Sequence, residues 1–148
     1  MGKIVGPLNN NERTGDFTHI AVFDFADIAA NATSSNQVTI ATIPAGGAVE
    51  LCMVDEATAL VGATDITLDV GTTSGDPDEF INALDVDAMS VPVFNTGDAF
   101  SSPEEITGET ASDTNVLVEW NGTTGSLTAG VVVIGLRILD PRRFAGLV

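Results

Sequence analysis

Residues 115–139, NVLVEWNGTTGSLTAGVVVIGLRIL, carry the clearest statement of fold in the chain. Asn115–Trp120 is a short β-branched and aromatic run of the kind that fits a pleated, half-buried surface. Asn121-Gly122 follows it, and both residues tolerate the positive φ that tight turns demand. The stretch from Gly130 to Leu139 is almost continuously apolar, as in a strand covered on both faces, and Arg137 marks where the chain emerges. The two segments therefore read as strands joined by a turn, the second a sheet partner of the first.

The same signals recur upstream. Gln37–Ile43, QVTIATI, places Val38, Ile40 and Thr42 on one face, and Pro44-Ala45-Gly46-Gly47 leads into AVELCMVDE, which reads as a hairpin. Asp65–Val70, DITLDV, alternates strictly, so Asp65, Thr67 and Asp69 point outward and Ile66, Leu68 and Val70 inward. After the loop TTSGDPD, the element EFINAL fits a strand or a single helical turn equally, and Asp55–Ala63 a helical turn or a bulged crossing. Phe17–Phe25 reads as a first strand, with Phe17, Ile20, Val22 and Phe23 offering an apolar face. Residues 85–114 read as loops. With many short strands, punctuating Gly and Pro, no amphipathic helix of useful length and no internal repeat, the fold class is all-β: one antiparallel β-sandwich or jelly roll. Its expected organisation is an extended N-terminal arm at 1–16, a body at 17–139 and a short tail at 140–148.

Charge is distributed with unusual asymmetry. The 5 basic residues, Lys3, Arg13, Arg137, Arg142 and Arg143, all lie near the ends, and only Glu12 and Asp140 of the 21 acidic residues fall outside Thr14–Leu136. A formal charge of −16 on a chain that is 44% hydrophobic implies a folded anion rather than a disordered one. Such a body repels nucleic acid, whose phosphates require Lys or Arg. Its self-repulsion is relieved by salt, divalent cations or a basic partner, so a halophilic source would rationalise the composition. The longest apolar run is too short and too interrupted to cross a membrane as a helix, and residues 2–13 lack the apolar core of a secretory signal.

The toolkit for catalysis is thin. The chain has 1 His, His19, inside an apparent strand, and 1 Cys, Cys52, which sits among apolar neighbours as a buried hydrophobe. Neither a nucleophile elbow nor a phosphate-cradling glycine loop is present, so no enzymatic activity is expected. Zinc would have too few His and Cys ligands. Oxygen donors are abundant, and Asp76, Asp78, Glu79, Asp85 and Asp87 form the best candidate calcium cluster, although their spacing does not match an EF-hand loop. Otherwise they are a solvated acidic rim, and no cofactor is required. Trp120 would stack on a sugar if it pointed outward, and contributes to the core or a subunit contact if it does not. Asn31-Ala32-Thr33 and Asn121-Gly122-Thr123 match the glycosylation sequon, a pattern frequent by chance.

The run from Thr39 to Ala88, closing with Ser126–Leu139, resembles small head-decoration, or cement, proteins of tailed phages and related archaeal viruses. The resemblance rests on the turn Ile43-Pro44-Ala45, on Val70-Gly71 followed by Asp76-Pro77-Asp78 and Phe80, and on the closing strand Thr128–Val133. It implies a non-enzymatic virion protein on the outer surface of the capsid. That protein would bind the major capsid protein and itself, as a homotrimer, and reinforce the head against internal DNA pressure. Lys3, Arg13, Arg137, Arg142 and Arg143 are then the candidate contacts with the shell or a neighbouring subunit. A turret, fibre base or tail component would suit the same features, and a calcium-assisted carbohydrate-binding sandwich is the alternative outside the virion.

Overall fold

A computed structural model of the chain describes residues 3–5, 17–30, 37–72, 76–97 and 112–142. In chain order its elements are β1 (Lys3–Val5), β2 (His19–Asp24), α1 (Phe25–Ala30), β3 (Gln37–Ile43), β4 (Ala48–Val61), β5 (Thr67–Thr72), β6 (Asp76–Asp85), β7 (Val93–Phe94), β8 (Thr114–Asn121) and β9 (Ala129–Leu139). They form two antiparallel sheets, a five-stranded one in the order β1-β2-β9-β4-β7 and a four-stranded one in the order β3-β8-β5-β6.

The order has a simple origin. From β2 onward the first four strands pair with the last four in reverse, β2 with β9, β3 with β8, β4 with β7 and β5 with β6. This is one long antiparallel ribbon. Rolling it up adds the contacts β4 with β9 and β5 with β8, and the product is the jelly roll. β1, from the segment read as an arm, adds a short strand to the β2 edge, with Lys3 opposite Val22.

The rolled ribbon corrects two pairings read from sequence. β8 and β9 are not partners: the Asn121-Gly122 turn carries the chain from one sheet to the other. Gly122 has φ +97°, and a Cβ there would meet the Asp65 carbonyl oxygen at 2.2 Å. The Asp65 carboxylate accepts the Thr123 backbone N–H at 3.2 Å and its hydroxyl at 2.5 Å, and these bonds hold its pKa below the ordinary value. β3 and β4 likewise fall in different sheets, although Pro44–Gly47 is a true turn closed by Gly47 N–H donating to Pro44 O at 2.7 Å. Turn chemistry reports that the chain reverses, not which strand it then joins.

Alternation places the core between the sheets. Ile66, Leu68 and Val70 are fully buried as read, and β6 resolves EFINAL as strand. β4 runs straight through Asp55–Val61 as a strand with register shifts, so the bulged alternative holds there. Two other readings change. In β2 it is Ala21 and Phe23 that face the core, while Ile20 and Val22 are only partly covered. In β9 the inward set Val132, Ile134, Leu136 and Ile138 is buried, but Val131 and Val133 on the other face stay half-exposed, so the strand is not covered on both sides.

Helix α1 is absent from the pattern of apolar residues. Its signal is local: Asp27 N–H donates to Asp24 Oδ1 at 2.9 Å and Asp24 N–H to Asp27 Oδ2 at 3.3 Å, a reciprocal capping box written as Asp-x-x-Asp. The helix buries Ile28 and ends the strand one residue earlier than its apolar pattern suggests. Nearby, the buried Thr18 hydroxyl donates to Leu136 O at 3.2 Å and accepts Ile138 N–H at 2.9 Å, fixing β2 to β9 where the ladder begins.

A short strap closes one side of the sandwich. Asn95 N–H donates to Cys52 O at 3.0 Å, and Cys52 N–H donates to Asn95 Oδ1 at 2.8 Å. Two residues on, Gly97 N–H donates to Phe80 O at 2.9 Å. Residues 93–97 therefore tie β4 of one sheet to β6 of the other.

Candidate functional site

The cations expected to make external contacts are partly engaged within the chain. Arg137, on β9, places Nε 3.3 Å from Glu50 Oε2 across the β4 ladder, both side chains part-exposed. Arg142 grips Asp140 with two parallel bonds, Nε to Oδ1 at 2.9 Å and Nη2 to Oδ2 at 3.1 Å, which raises its pKa further. Both pairs involve part-exposed side chains, and such pairs contribute only about 0–1 kcal/mol. Lys3 lies on the outermost strand of the larger sheet. Arg13 and Arg143 lie outside the described residues.

The acidic cluster does not assemble. Asp76–Asp85 is strand rather than loop, and Asp76 and Asp85 sit at its two ends, paired with Thr72 and Thr67 of β5. Asp78 accepts Asn82 Nδ2 at 2.8 Å on the outer face. Asp87 accepts Ile66 N–H at 2.9 Å, and its pKa is raised by burial and then by neighbouring Asp85. Glu79 is half-buried on β6, and the Asp76 side chain lies outside what is described. Among the described residues, no group of three or more His, Cys, Asp or Glu converges as a metal would require.

The outer face of the smaller sheet is instead a polar, acidic surface. Register aligns Gln37, Glu119 and Asp69 across β3, β8 and β5, with Gln37 Nε2 donating to Glu119 at 2.7 Å. Asp69 accepts Ala83 N–H at 2.6 Å and Asn121 Nδ2 at 3.1 Å. Burial raises its pKa despite the Ala83 bond, and the charges of Asp78 and Glu119 add to the rise. A raised carboxyl pKa means the native state holds the proton more tightly than the unfolded chain, so ionised Asp69 opposes folding above that pKa. Asp69→Asn is therefore expected to stabilise the protein to urea at pH 7, with the advantage over wild type shrinking as pH falls toward 4. An advantage independent of pH would exclude the charge as its cause.

The residues considered for chemistry have structural places. Cys52 is fully buried, which pushes its thiol far up and keeps it protonated. His19 Nδ1 lies 3.0 Å from the Thr18 hydroxyl at the start of β2. Trp120 is fully buried and meets Phe23 edge-to-face across the two sheets, ring centroids 5.5 Å apart. Its ring is thus unavailable for stacking on a sugar. Among the described residues no helix is long and apolar enough to cross a membrane.

No family model and no curated protein matches the chain. Solved structures do. A chain of the cyanophage Pam1 capsid asymmetric unit superposes with a TM-score of 0.56 at 19% identity, over 79% of this chain and 79% of that one. A chain of the capsid of Ralstonia phage GP4 superposes with a TM-score of 0.54 at 20% identity, over 92% of this chain and 90% of that one. What the three chains share at these identities is the fold, along nearly the whole length in the second case.

Proposed function

We propose that this chain is a non-enzymatic structural protein of a virion, attached to the outer surface of an icosahedral head and reinforcing it. The observation that carries the reading is the likeness, over 92% of the chain, to a chain in the capsid of Ralstonia phage GP4, reached independently of the sequence resemblance to decoration proteins. The surface chemistry supports it. A buried thiol and a core tryptophan leave the described body little to react with, whereas an acidic body with cations near its two ends suits attachment through the ends. In this reading the partners are the major capsid protein and other copies of the chain, three to a site by the resemblance. Lys3, Arg13, Arg137, Arg142 and Arg143 supply the polar contacts, and symmetry multiplies weak ones through high effective concentration.

Deletion of residues 1–16 tests it. The deletion removes β1 and two of the cations but no strand of the rolled ribbon, so the body is expected to unfold at a similar temperature. Occupancy on purified heads lacking the protein is expected to fall about tenfold or more as the multivalent contacts are lost. Undiminished occupancy would remove the arm from the attachment. Retention by purified tails, with none by heads, would move the protein to a tail or fibre-base position.

A further inference from the structure

The jelly roll has four sheet edges, and they differ sharply. β1 is a three-residue strand bearing Lys3, and β7 has two residues. β6 carries Pro77, Asp78, Glu79 and Asp85 and is met by the strap at Gly97. Short length, charge, proline and a covering segment are the means by which edges are kept from pairing with other chains. β3 has none of these four, and its one irregularity is the register shift between Thr39 and Ala41. It is seven residues long, ends its sheet, and has no strand on its outer side among the described residues. Its sequence, QVTIATI, is rich in β-branched residues and lies in the longest uncharged run of the chain: nothing between Asp27 and Glu50 is ionisable. The register shift between Thr39 and Ala41 leaves Gln37–Thr39 and Ala41–Ile43 as regular segments on either side.

We propose that the β3 edge is a docking site for the β3 edge of a second copy, the two strands pairing antiparallel about a two-fold axis into a continuous eight-stranded sheet. Charge selects this occupant. A basic strand would find no carboxylate on β3 to meet its cations, whereas two chains of charge −16 approach with least repulsion where neither carries charge. An edge facing its own copy is self-complementary by symmetry. Main-chain hydrogen bonds supply the contact, as in strand addition generally. Such pairing joins copies two by two. It is compatible with a separate three-fold contact, in which case the particle holds six chains.

The inference deepens the homo-oligomer part of the virion reading but is tested in solution without heads, so either can fail alone. Light scattering of the full chain at multimolar NaCl is expected to give a mass of two or six chains. Thr39→Glu, at an exposed position of the edge, is expected to halve that mass. Ser90→Glu, which adds the same charge beyond the far edge, is expected to leave it unchanged. A wild-type mass of one or three chains overturns the proposal, as does a mass that neither variant or both variants halve. If circular dichroism shows Thr39→Glu to be unfolded, hydrogen exchange of the wild type decides. Protection of β3 amides that is lost on dilution supports the pairing, and protection independent of concentration refutes it.

Discussion

Trp120→Ala is expected to cost the body about 3–5 kcal/mol, the range for removing a large buried aromatic. The tryptophan is the largest fully buried side chain, and it stands on β8, the strand held between β3 and β5. Its ring bridges the layers by meeting Phe23 of β2 at an interplanar angle of 70°. Truncation thus opens a cavity at the interface of the sheets and removes an edge-to-face contact of about 0.5–1.5 kcal/mol that area alone does not count. For a domain of ordinary stability, about 5–15 kcal/mol, this is about a fifth or more of the total. At about 2–4 °C per kcal/mol, the melting temperature falls by roughly 10 °C. Trp120→Phe refills part of the space and is expected to recover more than half of the loss. Calorimetry on both variants checks the claim, and a drop below about 1 kcal/mol for alanine would mean that the sheets do not close on this ring.

The strands were legible because alternation is a local property, and DITLDV shows it at its clearest: all three inward residues are fully buried. Pairing was not legible, because in a jelly roll the partner of a strand is set by its place in the rolled ribbon. Asn121-Gly122 therefore predicted the reversal correctly and the partner wrongly. The capping pair Asp24 and Asp27 is visible in the sequence, but the apolar period of Phe17–Phe25 runs over Asp24 into the first residue of α1 and masks it. Among the described residues the acidic cluster does not converge. Five carboxylates close in sequence look convergent in a loop, whereas on an extended strand they are spread along it. The one surface feature that sequence and structure specify together is the β3 edge: the uncharged run is visible in the chain, and only the topology reveals that this run borders the sheet.

Gly97→Ala should free the strap that guards the opposite edge. A Cβ on Gly97 would stand 2.1 Å from the Glu79 carbonyl oxygen and 2.5 Å from the Phe80 carbonyl carbon. Both are backbone atoms of β6, so no side-chain rotation relieves the clash. The strap must lift or the strand must shift, at a cost of about 3 kcal/mol, the upper part of the usual range for overpacking. Lifting is the cheaper response, because it breaks few bonds: Gly97 N–H to Phe80 O, then the reciprocal pair between Asn95 and Cys52. Exchange at the amides of Gly97, Asn95 and Cys52 is therefore expected to accelerate at least tenfold, while the central β8 amides keep their protection. Unchanged exchange at these three amides would show that the strap is not held by this contact. The released segment also carries Phe94 and Val91, already 49% and 66% exposed. Lifting it bares β6 as a second unpaired edge beside an apolar patch. The variant is thus expected to aggregate at salt concentrations where the wild type stays in solution. The strap and the uncharged β3 edge obey one rule, that an antiparallel sandwich must cover each long edge or give it a partner. Among the described residues this chain covers β6 itself and leaves β3 uncovered.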